Sequence, residues 1–382
     1  MAQAHESMKH VRETFRVAWY RSPVEQALLK ELTQRSDLLG AFQAVGHVAL
    51  LAITATTFWY LFARRAWAGS ALALFAHGTI YSFLPGHAAH ELSHGTVFRT
   101  RWLNGLFLRF FSLASWFNPY DQKISHTYHH LFTLYPRGDR EVVLPKTPSL
   151  HPLFLLQLLT LNVVGVRGDL YSYPFVPTLA ATIRRAFTGR VGNAWLEAVY
   201  EDQEETRRRS IAWARIVLLV HTAVLAVSVI LQLWALPLLV TFAPFIANWL
   251  RYFVGVPQHT GLRDSVPDFR LCARSITLDP FTSFLYWRMG WHTEHHMYAA
   301  VPCYNLKRLA AAIAADMPAP RSLFSAWKEM RQTWKRQKAD PAYRFDVPLP
   351  RAAESVRASG VSGAGQDPLA SSLGSLAPKG LE

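Results

Sequence analysis

Residues 38–63 read LLGAFQAVGHVALLAITATTFWYLFA, twenty-six positions without a single Asp, Glu, Lys or Arg. A helix needs roughly 20 mostly apolar residues to cross a bilayer, so this run alone predicts a membrane span. Arg64-Arg65 ends it, and a second uncharged run follows from Ala66 to His90. Together they predict two spanning helices joined by a tight turn. Further along, Ile216–Leu250 is also free of charge, with Trp234 and Pro237 near its middle. With Arg215 and Arg251 snorkelling at the ends, Ile211–Gln232 and Ala235–Val254 form a second expected hairpin. The expected fold is therefore all-α and integral to the membrane. It has four transmembrane helices in two hairpins, with a cytosolic helical cap built from the remainder.

Two hairpins return the chain to its starting side, which puts residues 1–37, 87–210 and 255–382 in one compartment. All but a handful of the forty Lys and Arg fall in those three segments. By the positive-inside rule that compartment is the cytoplasm, and both termini belong there. Residues 1–37 are too charged for a cleavable signal peptide. Leu103–Phe117, which contains Arg109, and the fifteen-residue run Pro152–Val166 are too interrupted or too short to span, and read as interfacial or re-entrant segments. The expected division is a cytosolic segment 1–37, a membrane domain 38–315, a basic segment 316–352 and a disordered tail 353–382, rich in Gly, Ser and Ala.

The chain has 382 residues and a formal net charge of +14. A basic balance fits nucleic acid, an anionic membrane surface or an acidic protein partner. The thirteen Trp and the long apolar runs favour the membrane, and no zinc-finger or basic-zipper pattern supports nucleic acid. The two cysteines, Cys272 and Cys303, are too few for an iron–sulfur cluster.

Nine of the sixteen histidines fall into a pattern. Eight form three clusters: His90-Glu91-Leu92-Ser93-His94, His126-Thr127-Tyr128-His129-His130 and His292-Thr293-Glu294-His295-His296. Residues three and four apart share a helix face, so His90 and His94 stand side by side. In each of the other clusters the three rings are expected to converge on one side of a turn. At this histidine content an H-x-x-H-H arises by chance roughly 0.03 times per chain, yet it occurs twice. His259, in Pro257-Gln258-His259-Thr260-Gly261 just past the last expected span, is a candidate ninth ligand. His87 shares the face of His90 and is a candidate neighbour of the ligands, alongside Glu91, Asp139, Glu141 and Glu294. These acids would orient imidazole N–H groups and tune their basicity. His47, His77 and His221 lie within the apolar runs and read as neutral, hydrogen-bonded histidines. His5, His10 and His151 read as surface.

A zinc site takes about four ligands, so eight or nine histidines are too many for one ion and suit two. Imidazole suits Zn, Cu, Fe and Ni. Two adjacent redox ions point to oxygen activation, whereas a hydrolytic two-zinc site usually includes carboxylate ligands.

With these clusters the sequence resembles the membrane fatty acid desaturase and hydroxylase superfamily, which carries histidine boxes of the form HxxxH, HxxHH and HxxHH. The flanks are similar too: Gly95-Thr96-Val97-Phe98 and Trp102-Leu103-Asn104 after the first box, and Val301-Pro302-Cys303-Tyr304-Asn305-Leu306 after the third. Ala299-Ala300 stands where many members have Pro, and Gly290-Trp291 where many have Asn. The resemblance spans roughly residues 40 to 315. It implies a four-span helical fold with a cytosolic di-iron site, and O2 as co-substrate. The implied reaction is desaturation of a fatty acyl chain, with hydroxylation or ketolation of an alkyl, acyl or carotenoid substrate as the alternative. Electrons would come from an external ferredoxin, rubredoxin or cytochrome-type donor. Arg207-Arg208-Arg209 and the basic stretch 328–338 are candidate docking or anionic-lipid surfaces.

Overall fold

The computed structural model describes residues 6–141, 151–165 and 173–350. The expected disordered tail and His5 lie outside them. The chain is helical, and the two short strands, Ile276–Thr277 and Arg321–Ser322, pair in parallel.

Asp37–Ala63 forms one 27-residue helix, about 40 Å long at 1.5 Å per residue. Its start is set by Ser36, whose side chain accepts from the Leu39 amide. Its end is set at Arg65, which turns through φ 56° and returns the chain as the helix Trp67–Tyr81. The return helix is shorter because Pro85 and Gly86 (φ 76°) break the backbone. The same kink re-aims the chain into the short helix Ala89–Ser93 that carries the first histidine cluster.

The second long helix, Glu204–Ile230, starts seven residues before the expected span at Ile211. Among the described residues it and Asp37–Ala63 are the two helices long and apolar enough to cross a membrane. The expected partner span, Ala235–Val254, is corrected by the structure. It is broken into Leu236–Leu239, a 3-10 turn at Ala243–Phe245 and a helix at Trp249–Gly255. Pro244 lacks an N–H, Ala247 sits at φ 50°, and the Asn248 side chain donates to the Pro244 carbonyl, so no continuous helical ladder can form. The freed backbone groups are satisfied by the protein itself. Ala247 N–H donates to Thr160 O (2.7 Å), Asn162 N–H to Phe245 O (2.8 Å), and Thr79 Oγ1 to Ala247 O (3.2 Å). Irregular backbone at membrane depth is tolerable only when buried in this way. The first hairpin packs closely on this broken segment at Gly78, where a Cβ would lie 2.5 Å from the Ile246 carbonyl.

The histidines expected in the apolar runs are hydrogen-bonded. His47 Nε2 meets Ile80 O, His77 bridges Thr54 Oγ1 and Leu239 O, and His221 Nε2 meets Leu113 O. His10 and His151 are exposed. Arg101–Ala114 and Pro152–Leu159, which cover most of the two segments read as interfacial, expose Trp102, Leu106 and Phe110, and Leu153, Leu156 and Leu159.

The largest core lies around the histidine-bearing helices and includes Leu92, Phe98, Phe111, Trp287, Met297 and Leu306. The N-terminal segment folds onto it. Tyr20 stacks over the buried Arg270 guanidinium at 3.9 Å, and that guanidinium bonds Asp268 and Asp316. Met317 and helix Leu323–Gln337 also join the buried interior, the helix through Met330 and Trp334.

Candidate metal centre

The second cluster lies on helix Pro119–Phe132, begun by Pro119 in the first turn and by Asn118, whose side chain accepts from the Tyr120 and Asp121 amides. The third lies on the six-residue helix His292–Met297. His259 follows the 3-10 turn Val256–Gln258, just past Trp249–Gly255. All nine histidines are brought together, and all but the partly buried His94 are buried.

They form two groups: His90, His94, His126, His130 and His295 in one, and His129, His259, His292 and His296 in the other. Within each group the candidate ligand atoms lie within 4.8 Å of one another. The expectation that each H-x-x-H-H turns its three rings to one place is therefore corrected. A residue at i+4 lies about 40° past i around a helix and one at i+3 about 60° short of it, so adjacent histidines diverge by about 100°. Each i,i+4 pair stays together, with ring centroids 4.4 Å apart for His126–His130 and 4.5 Å for His292–His296. Each i+3 ring, His129 and His295, crosses to the other group, 6.0 Å from its sequence neighbour. Both H-x-x-H-H clusters thereby contribute to both groups, and the groups abut where His130 faces His296 at 4.5 Å.

Hydrogen bonds fix which nitrogen faces inward. Nδ1 of His90 meets Glu91 Oε1 (3.0 Å), that of His126 meets Glu141 Oε1 (3.0 Å) and that of His129 meets Asp139 Oδ2 (2.8 Å). His259 Nδ1 donates to the Cys272 carbonyl (2.7 Å). With those Nδ1 protons engaged, the Nε2 atoms carry lone pairs and point into the groups. His259 and His292 bring their Nε2 atoms to 2.8 Å, His292 and His296 to 3.1 Å, and His130 and His295 to 3.2 Å. The Nε2 atoms of His90, His94 and His126 are buried without a hydrogen-bond partner among the described residues. Converging, buried, unpartnered lone pairs repel one another unless a cation lies between them. The residues thus fit two metal ions held by imidazole.

Burial sets the charge states in the same direction. It pushes the His90, His94 and His259 imidazoles down to about 3, so they are neutral and ready to bind metal. It pushes the carboxyls of Glu91 and Glu141 up to about 7, and a nearby cation would favour their charged form. Burial opposes protonation of His129 too, but Asp139 outweighs it and raises that ring.

Three of the acidic neighbours expected from the sequence, Glu91, Asp139 and Glu141, reach an imidazole. The fourth, Glu294, does not: its carboxylate accepts from Ser275 Oγ at 2.5 Å, and Ser275 in turn accepts from the Thr293 amide. Glu141 serves His126 instead, and is itself held by Ser125. His87 is buried against Tyr286, with ring centroids 4.7 Å apart, and belongs to neither group. Sequence reading passed over Gln258 and Thr133, whose side chains stand 3.4 and 3.3 Å from Nδ1 of His292 and His296. Their adjacency to ligating positions, one residue before His259 and three after His130, was the available signal.

Among curated proteins no match to the chain was found. A sequence model described as fatty acid desaturase matches residues 65–327. That stretch is well over half the chain and contains all nine clustered histidines. This protein belongs to the fatty acid desaturase family.

Proposed function

We propose that the chain is an O2-dependent di-iron enzyme that introduces a double bond into a fatty acyl chain, working at the cytoplasmic face of a membrane. The observation that carries this reading is the five-plus-four grouping of inward-facing imidazoles with no carboxylate in either set among the described residues. Such a donor set suits redox ions better than a hydrolytic zinc pair. Two bound irons would supply oxygen activation and removal of hydrogen from an unactivated C–H bond.

The protein's own residues do the remaining work. Glu91, Glu141 and Asp139 hold the Nδ1 protons of His90, His126 and His129, which orients each ring and keeps its Nε2 free. Leu92 and Met297, next in the chain to cluster histidines, are buried in the largest apolar core, which anchors the first and third clusters. The exposed apolar surfaces of Asp37–Ala63 and Glu204–Ile230 give the lipid-facing frame. Having no iron–sulfur ligand set of its own, the chain would take electrons from a separate carrier.

The test is to supply the purified, iron-loaded enzyme with reductant, 18O2 and membrane lipids, and to analyse the acyl chains. A new double bond without 18O in the product supports desaturation. An 18O-labelled hydroxyl or keto group replaces it with the hydroxylase or ketolase reading, and no O2 uptake with any lipid overturns both.

A further inference from the structure

Redox chemistry at this centre requires electrons to reach buried ions, and the packing offers one aromatic route. Among the described residues, Phe269 is the only aromatic ring other than histidine in ring contact with any of the nine clustered histidines. It lies over His296, with centroids 5.2 Å apart and planes tilted by 33°. On its other side Trp19 stacks on it nearly parallel, at 4.0 Å and 11°. Phe269 is fully buried, while Trp19 is partly exposed. Two ring-to-ring steps therefore join the protein surface to a member of the four-histidine group. Electron tunnelling falls steeply with distance, so two closely packed rings between the surface and His296 offer a short route into the four-histidine group, on the other group from the partly exposed His94.

The route is held rigidly. Trp19 Nε1 donates to the Leu131 carbonyl at 2.9 Å, one residue past His130. The Tyr20 amide donates to Pro267 O at 2.9 Å, and Asp268 caps the turn that begins at Phe269. Beyond Trp19 the aromatic surface continues through Tyr135 (5.8 Å) to Phe15 (5.6 Å further), which is covered by the Arg137 guanidinium at 5.0 Å. Arg16 and Arg140 flank this patch and donate to backbone carbonyls, with no carboxylate partner among the described residues. By contrast Arg208 and Arg209, part of the basic run noted in the sequence, are paired with Glu204 and Glu205.

We propose that Trp19 is the point of electron entry, and that the Phe15–Trp19–Tyr135 surface with Arg16 and Arg140 docks a small acidic one-electron carrier protein. Each encounter oxidises one reduced carrier and delivers one electron through Trp19 and Phe269 towards His296, so two carriers are consumed for a two-electron reduction. Steering by Arg16 and Arg140 makes the encounter sensitive to salt.

This inference rests on the redox reading, and the experiment separates the two. The full-length, iron-loaded protein in detergent is mixed in a stopped-flow cell with reduced [2Fe–2S] ferredoxin, rubredoxin or a soluble cytochrome b-type carrier, and in parallel with dithionite. The absorbance of the metal centre reports its reduction. Trp19→Leu should keep its metal content and its dithionite rate but lose at least tenfold in carrier-driven rate, whereas Trp19→Phe should retain most of it. The double variant Arg16→Glu/Arg140→Glu, at one exposed and one partly exposed side chain, should keep its dithionite rate, raise the apparent Kd for the carrier severalfold and flatten its salt dependence. Arg208→Glu/Arg209→Glu should not. If dithionite reduces the centre but Trp19→Leu matches the wild type with the carrier, this proposal is overturned and the redox reading stands. The proposal also falls if no carrier reduces the wild type, or if only the Arg208/Arg209 variant slows transfer. If Trp19→Leu loses its metal, the Arg16/Arg140 variant alone decides. A centre that not even dithionite can reduce overturns the redox reading itself.

Discussion

Asp139→Asn changes one atom and tests the organisation of the centre. Asp139 is buried and takes only donors: His129 Nδ1–H at 2.8 Å and the Leu134 amide at 2.9 Å on Oδ2, and the Glu141 amide at 2.9 Å on Oδ1. An asparagine brings one acceptor oxygen and one NH2 group. If its oxygen takes the Oδ2 position, the NH2 faces the Glu141 N–H; if it flips, the NH2 faces both His129 and Leu134. Either way a buried donor meets a donor, costing about 1–3 kcal/mol of stability. Loss of the carboxylate behind His129 should weaken metal at the four-histidine group by about 10–100-fold, or about 1.4–2.7 kcal/mol. The assay is competition with a graded chelator series, followed by metal analysis of the protein. The wild-type titration sets the chelator strength at which each ion leaves. In the variant the ion at the four-histidine group should leave at markedly weaker chelator than in wild type while about one ion per chain remains, because none of His90, His94, His126, His130 and His295 bonds Asp139 directly and only His126 feels it, through Glu141. Loss of both ions together, or a titration indistinguishable from wild type, would refute the separation into two groups.

His295→Ala and His129→Ala remove rings from different groups although each is the i+3 member of its cluster. Each should abolish turnover, and spectroscopy of the remaining ion should differ between them; identical residual spectra would contradict the crossing of i+3 rings. Glu141→Gln should weaken the ion bound by His126 while leaving the His129 group intact, which the same chelator series checks. Gly78→Ala should lower the melting temperature in detergent. Helix propensity alone predicts a gain of about 1 kcal/mol, but a Cβ 2.5 Å from the Ile246 carbonyl forces a shift costing about 1–3 kcal/mol. A stabilised variant would show that the two segments do not pack so closely. For orientation, a cysteine placed at Arg65 should react with impermeant thiol reagents from outside intact cells, and one at Arg208 only after lysis; the reverse pattern would invert the topology.

The long helix Asp37–Ala63 was legible because an unbroken uncharged run admits one reading. Eight of the histidines were legible because spacings of three and four place side chains on neighbouring faces whatever the surroundings, and His259 by its place just past an apolar run. Their division between the two groups was also present in the helical angle, since a ring at i+3 and one at i+4 cannot both line up with the ring at i. The broken segment after Ile230 was not legible. Pro237 and Pro244 gave a hint, but what stabilises the break is hydrogen bonding from Thr160 and Asn162, more than eighty residues away in sequence. Which of the four acids reach a histidine was not legible for a similar reason. Glu294 sits inside a cluster yet turns to Ser275, whereas Glu141 reaches His126 only because the chain doubles back through Leu134 (φ 59°) and Gly138, which packs against Phe132. Contacts made by a turn of this kind leave no periodic trace in the sequence.

The central claim is that two redox ions occupy the two histidine groups, and elemental analysis of the detergent-purified protein after iron-replete expression tests it most directly. Two occupied groups predict about two irons per chain, falling when any of the nine histidines is replaced. Zinc alone, or no more than one metal ion per chain, would contradict the claim.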